Sequence, residues 1–265
     1  MSKKLPITSI VASLNEGHIL ADCLSSVAFT DEVLVVNLES TDNTVEIATA
    51  ANATIIDHKR VPVVEIIHTE MSKKSKNDWL LLTDPDERIG ESLADDLRKE
   101  LPTYNKEKIG VVYAPMQYYF KKKRLRGGVW GGIKQHQLLA NRQRAVFSPN
   151  VHNGVKLRDG YVLHHMQYHN DNVIHHYWMS SYRQLFEKHN RYIKAEGKAR
   201  YDNGVRYSTK LAIKTPLTNL YDAYIREKGY KDGLTGFFLA CFWAWYNSLS
   251  IQSLKKYERS LNAKK

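Results

Sequence analysis

Cysteine is nearly absent: only Cys23 and Cys241 occur in 265 residues, far apart and in apolar or helical surroundings. Two such thiols exclude a disulfide framework and a cysteine-based zinc site, and a reducing compartment follows as the default. Long apolar runs are missing too. The longest uncharged stretch lies between Asp232 and Lys255, and only residues 234–246 of it are strongly apolar. A bilayer span needs about 20 such residues, so none is expected. The N-terminus carries two lysines but no apolar core segment of signal-peptide kind behind them, and no secretory signal is expected. There is no Gly-Xaa-Gly-Xaa-Xaa-Gly fingerprint, which argues against a nicotinamide dehydrogenase, and no RRM, KH or zinc-finger signature. Internal repeats and low-complexity linkers are likewise lacking.

What is present begins with charge. The formal net charge is +11, but residues 1–100 hold 10 Lys+Arg against 18 Asp+Glu, whereas the remainder holds 29 against 10. A basic second part would attract a phosphorylated substrate, an anionic membrane surface or nucleic acid, and charge alone does not choose among them.

The first ninety residues alternate between strand and helix signals. Strands are expected at 7–13, 32–37, 54–57 and 79–82, with helices at about 19–27, 43–51 and 63–76. That alternation predicts a mainly parallel sheet of right-handed βαβ units flanked by helices. After a helix ending near Leu101, a strand is expected at 111–119 and shorter ones near 137–142 and 151–154. Helical spacing dominates 173–197 and 207–228. A basic run at 121–126 leads into glycines 127, 128, 131 and 132, which suggest a mobile loop; the run could clamp donor phosphates, meet acidic lipid or a phosphorylated acceptor, or be a solvated hairpin tip.

The chemistry concentrates at one strand end. Trp79-Leu80-Leu81-Leu82-Thr83 runs into Asp84-Pro85-Asp86-Glu87. In an open α/β sheet, ligands bind outside the carboxyl ends of strands. Pro85 pushes Asp84 into an extended conformation, and extension carried through Asp86 would turn both aspartates to one spot. Paired carboxylates suit a hard divalent cation, Mn2+ or Mg2+, carrying a polyphosphate. The competing reading is a solvated acidic turn before the next helix. Near the C-terminus, the aromatic run of 234–246 flanked by lysines fits a helix lying in a membrane interface. Its alternative is a buried helix packed on the sheet or on a second copy in a homo-oligomer.

Ser13-Leu14-Asn15-Glu16, Val35-Val36-Asn37 with Ser40-Thr41-Asp42-Asn43-Thr44, and residues 79–87, in that order, resemble the family 2 glycosyltransferases of the GT-A fold. The likeness is closest to small bacterial lipopolysaccharide-core β-glucosyltransferases. It extends to Gln137–Arg142, Val151-His152-Asn153, His176-Tyr177 with Lys188 and Tyr192, and the aromatic C-terminal segment.

The resemblance implies an α/β GT-A domain over 1–170 that binds a nucleotide-sugar donor, with a helical region at 171–265. It implies that Ser13, Asn15, Glu16 and Asn37 hold the nucleobase and ribose of a UDP-sugar. Asp84 and Asp86 would hold the diphosphate through Mn2+ or Mg2+, helped by Arg142, His176 and Lys188. Asn37 stands where the family usually has aspartate, and Asn153 where it has glutamate. The proton acceptor for an inverting transfer is then sought among His152, Glu87 and Asp159, with His152 preferred and Glu87 second. Implied partners are the donor, a saccharide or lipid-linked glycan acceptor and an anionic membrane surface at the cytoplasmic face, with no nucleic acid.

Two other classes compete. A sugar nucleotidyltransferase should carry a glycine-rich, arginine-bearing loop after its first strand, and Ser13-Leu14-Asn15-Glu16-Gly17 is not one. A non-catalytic basic adaptor would be indifferent to loss of Asp84 and Asp86.

Overall fold

The computed structural model describes residues 3–149 and 155–262. Four strands, β1 (Leu5–Ser13), β2 (Thr30–Asn37), β3 (Thr54–Asp57) and β4 (Trp79–Thr83), alternate with α1 (Gly17–Ser26), α2 (Thr44–Ala50) and α3 (Glu65–Lys74). They pair in parallel in the order β3-β2-β1-β4. The chain therefore winds outward from β1 to β3, then crosses back to lay β4 on the other side of β1. That reversal opens a crevice at the carboxyl ends of β1 and β4.

Residue alternation along β1 explains the layering. Val11 packs with Leu20, Cys23 and Leu24 of α1, Val35 of β2 and Ala48 of α2, while Ile10 and Ala12 meet Ile67 and Met71 of α3. Both faces are apolar, so both are covered by helices. The sheet continues through antiparallel strands: β5 (Glu87–Ile89), β6 (Ile109–Phe120), β8 (Ile133–Asn141) and β12 (Ile174–Met179), in the order β4-β8-β6-β12-β5. β7 (Lys123–Arg124) and β11 (Val162–His165) also pair with β6, and β9 (Ala145–Phe147) with β10 (Val155–Leu157) forms a separate ribbon. This is the α/β architecture expected, with helices following as α5 (Tyr182–Asp202), α6 (Thr209–Tyr221) and α7 (Gly233–Asn262).

Three local expectations are corrected. Residues 174–179 are strand rather than helix: β12 pairs with β5 through Ile174↔Ile89 and His176↔Glu87, and Ile174, Trp178 and Met179 are buried. Aromatic and β-branched side chains there fill a sheet position better than a helical one. The helix beginning at Glu91, α4 (Glu91–Lys106), does not stop at Leu101 but runs through Pro102. Burial of Leu101 and Tyr104 on one face holds the last turn despite the missing N–H. The third concerns the glycine-rich segment.

The chain forms two compact units, one made of Met1–Gln117 and Ile133–His176, the other of Tyr118–Gly132 and Tyr177–Lys265. In the second, the glycine segment is locked rather than mobile. The buried Asp232 carboxylate accepts the backbone N–H groups of Arg126 at 2.8 Å and Gly127 at 2.9 Å. A Cβ on Gly127 would lie 1.9 Å from the Lys228 carbonyl oxygen, and one on Gly131 equally near Gly127. The glycines permit close backbone contact. Trp130 stacks on Trp178 at 4.4 Å and meets Trp243 edge-on. Gly127→Ala should therefore destabilise the protein by about 3 kcal/mol, the upper range of overpacking, and lower the melting temperature by roughly 6–10 °C. A melting point unchanged within about 1 °C would contradict the lock.

Part of the aromatic C-terminal run is packed inside that helical unit: Leu239, Phe242 and Tyr246 of α7 are buried, while Leu234, Phe237 and Trp245 are exposed. Among the described residues no helix is long and apolar enough to cross a membrane.

One histidine of the first unit makes the fold sensitive to acid. His68 on α3 is half-buried, and desolvation pushes its imidazole down to about 4. A folded value below the unfolded one means full stability above about pH 6.5 and progressive loss as pH falls toward 4, on the order of 2–3 kcal/mol. Urea unfolding at pH 7 and pH 4.5 should show that loss in the wild type and less of it in His68→Gln. Equal pH dependence in the two proteins would refute the assignment.

Candidate active site

The crevice is rimmed by two loops that tie each other down. After β1, Asn15 adopts a left-handed backbone (φ 56°), its N–H donating to Ser40 Oγ at 3.0 Å while its Oδ1 accepts the Thr41 N–H at 2.7 Å. Asparagine tolerates that conformation better than most residues. Asp42 completes the clasp by accepting the Gly17 N–H at 2.9 Å and the Thr44 hydroxyl at 2.5 Å, and the Thr44 hydrogen bond leads the effects that hold its carboxyl below the usual range. Glu16 sits at the start of α1, partly exposed.

Asn37, at the end of β2, is also committed. Its Nδ2 donates to Asp57 Oδ1 at 2.8 Å and its Oδ1 accepts the Ser40 N–H at 3.0 Å. The charge at this corner thus resides on Asp57, one strand over. Ser13 is buried with its Oγ lacking a hydrogen-bond partner among the described residues, as is Thr83 Oγ1. Because Val11 is in register with Thr83, the two hydroxyls lie on one face of neighbouring strands.

The acidic tip is a β-turn rather than a continuation of β4. The Glu87 N–H donates to the Asp84 carbonyl at 2.9 Å, and the Asp84 N–H donates to Glu87 Oε2 at 3.2 Å. Arg88 pins the turn from behind: its guanidinium donates to the carbonyls of Pro85 (2.7 Å), Glu87 (2.7 Å) and Ile19 (2.6 Å). The Cys23 thiol, whose titration burial pushes far up, reaches the Asp84 carbonyl at 3.5 Å. Asp84 is exposed and Asp86 half-buried. His176 crosses from β12, its Nε2 3.3 Å from Asp86 Oδ2 and its Nδ1 3.8 Å from Glu87 Oε1. His136 of β8 joins them, its Nε2 3.9 Å from Glu87 Oε1.

Glu87 is the electrostatic focus. It is 3% exposed, and burial first, then the charges of Asp84 and Asp86, raise its carboxyl well above the ordinary carboxylate range. Crowded carboxylates of this kind favour a cation nearby. Among the described residues no group of three or more His, Cys, Asp or Glu is disposed to hold one alone. Two carboxylate-bearing positions on one pinned turn do fit a hard cation that takes its other oxygens from water and substrate phosphates.

Ser13, Asn15, Glu16, Asn37, Asp84, Asp86, Glu87 and His176 all stand at this side of the first unit. Arg142 does not join them. It follows β8 at the opposite end of β4, where it donates to Asp78 Oδ1 at 2.9 Å and to the Ser75 carbonyl at 2.6 Å. Lys188 lies on α5 of the second unit. His152 and Asn153 lie outside the described residues. Sequence reasoning missed Arg88, Asp42 and His136. Only Asp42, inside a polar cluster at a strand end, carried a local signal.

Residues 8–154 match the family described as glycosyl transferase family 2. The chain is 24% identical to an uncharacterized glycosyltransferase of Rickettsia conorii over 273 aligned residues, covering all of this chain and 95% of the relative. A second, from Rickettsia typhi, is 23% identical over 94% of this chain and 87% of its own. Among solved structures, glucosyl-3-phosphoglycerate synthase from Mycobacterium tuberculosis, in complex with Mn2+ and uridine-diphosphate-glucose, is 21% identical with a TM-score of 0.36 over 43% of each chain, less than half its length. The 1–349 portion of S. aureus TarS is 12% identical with a TM-score of 0.46, over 98% of this chain and 92% of that one. With more than half of its length matched by one family, the chain belongs to glycosyl transferase family 2 and is a glycosyltransferase, an enzyme that moves a glycosyl group from a nucleotide sugar.

Proposed function

We propose that this enzyme transfers a sugar, with inversion at the anomeric carbon, from a UDP-sugar to a hydroxyl of a surface-glycan or lipid-linked saccharide. The observation that carries the reading is the Asp84–Glu87 turn, held at the carboxyl end of β4 by Arg88 and flanked by His176. Asn15, Glu16 and Asn37 bound the nucleoside side of the crevice, and Asp57 supplies the negative charge there. Asp86 and Asp84 would hold Mn2+ or Mg2+, which would supply positive charge against the departing diphosphate. His176, within reach of Asp86, orients that carboxylate.

In an inverting transfer the acceptor hydroxyl attacks from the face opposite the diphosphate and gives up its proton as the bond forms. In this reading His152, or Glu87 as the second choice, carries that proton-transfer role. Burial and the charges of Asp84 and Asp86 raise the Glu87 carboxyl, which makes it a stronger base, and His136 and His176 stand 3.9 and 3.8 Å from it. An acceptor on a lipid carrier places the reaction at the cytoplasmic face of a membrane, and the basic excess beyond residue 100 suits anionic lipid.

A donor screen tests the reading. UDP release from a panel of UDP-, GDP- and dTDP-sugars, followed with Mn2+ and with chelator, should single out a UDP-sugar and require the cation. Cation-independent turnover, or preference for another nucleotide, would overturn it.

A further inference from the structure

We infer that α6, the wide turn after it and the start of α7 form a docking face for an anionic lipid bilayer. This deepens the membrane-surface part of the proposed function by naming the surface, and keeps only the first turn of the aromatic run of α7, whose later residues Leu239, Phe242 and Tyr246 are buried.

Ile213, Leu217 and Tyr221 follow one another at four-residue intervals along α6 and keep 60–66% of their surface exposed. In an α-helix such steps drift by about 40° each, so the line would curl away from a flat partner. It does not continue as an α-helix. Asp222–Arg226 forms a single π-helical turn, and the fewer degrees per residue of that wider turn bring the exposed Ile225 back into line. Tyr224, on the same turn, contacts the rings of Phe237 at 5.5 Å and Tyr230 at 6.4 Å, which sets the start of α7 beside the stripe. Leu234 is 88% exposed there and Phe237 is 49% exposed. Meanwhile Thr215 and Ala223 are buried on the inward side. Isolated exposed apolar residues need no explanation; six on one contiguous face do.

Charge identifies the occupant. Lys210, Lys214, Lys228 and Lys231 are exposed around the stripe. The acids nearby are Asp222, paired with Arg226 at 3.0 Å, Glu227, and the buried Asp232, which is occupied by Arg126 and Gly127. An apolar stripe with a cationic border matches anionic headgroups over acyl chains. A second copy fits poorly, because a two-fold interface would bring these lysines against their own kind.

The test is co-sedimentation of the full chain with vesicles of phosphatidylcholine containing 30% phosphatidylglycerol, beside vesicles of phosphatidylcholine alone. The wild type should bind the anionic vesicles at least tenfold more tightly, less so at 0.5 M salt. Ile213→Ser with Leu217→Ser should lower that binding at least tenfold, and Lys210→Gln with Lys214→Gln several-fold. Both variants should release UDP from a soluble donor at the wild-type rate, so that failure of docking and failure of the catalytic reading remain distinguishable. Absence of wild-type binding, equal binding by Ile213→Ser/Leu217→Ser, or a wild-type dimer in solution that the same pair dissolves would each overturn the inference.

Discussion

Asp86→Ala should lose on the order of 10²–10⁴ in kcat for sugar transfer while melting within about 2 °C of the wild type. The size follows from removing one oxygen ligand at the point where charge develops on the departing diphosphate. The fold should tolerate the change because Asp86 is only half-buried, and the backbone of its turn is held by Arg88 and by the Asp84–Glu87 bonds rather than by its own side chain. A second readout separates this from general damage: what activity remains should no longer respond to added Mn2+ as the wild type's does. Asp86→Asn should behave alike. Steady-state rates with saturating donor, with Mn2+ and with chelator, would check both effects, and wild-type turnover in either variant would remove Asp86 from the mechanism.

Arg88→Met should have the largest combined effect on fold and turnover. Its guanidinium is 12% exposed by side-chain surface and bridges the acidic turn to α1 through three carbonyl oxygens. Removing it leaves those acceptors short of donors in a largely buried place, which costs about 3 kcal/mol. The turn then loses its fixed geometry, and misplacement of about 1 Å lowers kcat by roughly 10–100-fold. Lysine should not rescue it, because an ammonium on a flexible stem cannot present the planar fork that reaches three carbonyls at once. Denaturant titration and kcat, measured on Arg88→Met and Arg88→Lys together, check the prediction. Full activity in the methionine variant would mean that the turn positions itself.

The two predictions also mark what was legible in the sequence. The first four strands could be read because each is a short apolar run bounded by polar residues, and parallel strands covered on both faces leave that signature. Asp84 and Asp86 could be read because they end such a run. Arg88 could not, since its role is a set of contacts with Ile19 and Pro85 that no local pattern encodes. His136 reaches Glu87 only through the ordering of β8 and the antiparallel strands beyond it, a long-range arrangement.

Glycine misled in a different way. At 127 and 131 it marks tight backbone approach rather than freedom, and only the carbonyl of Lys228 and the carboxylate of Asp232 reveal which. Pro102 misled likewise, because burial of Leu101 and Tyr104 outweighs the lost hydrogen bond. His176 lies beside the acidic turn although its segment is expected from sequence to be helical. Its place opposite Glu87 comes from strand pairing.

The central claim is that the acidic turn after β4 grips a nucleotide's diphosphate through a divalent cation. Calorimetric titration of UDP into the wild type and Asp86→Ala, each with Mn2+ and with chelator, tests it most directly. Binding should be tight only for the wild type with Mn2+ and at least tenfold weaker in the other three combinations. Equal affinity with and without the cation, or an Asp86→Ala protein that binds as the wild type does, would contradict it.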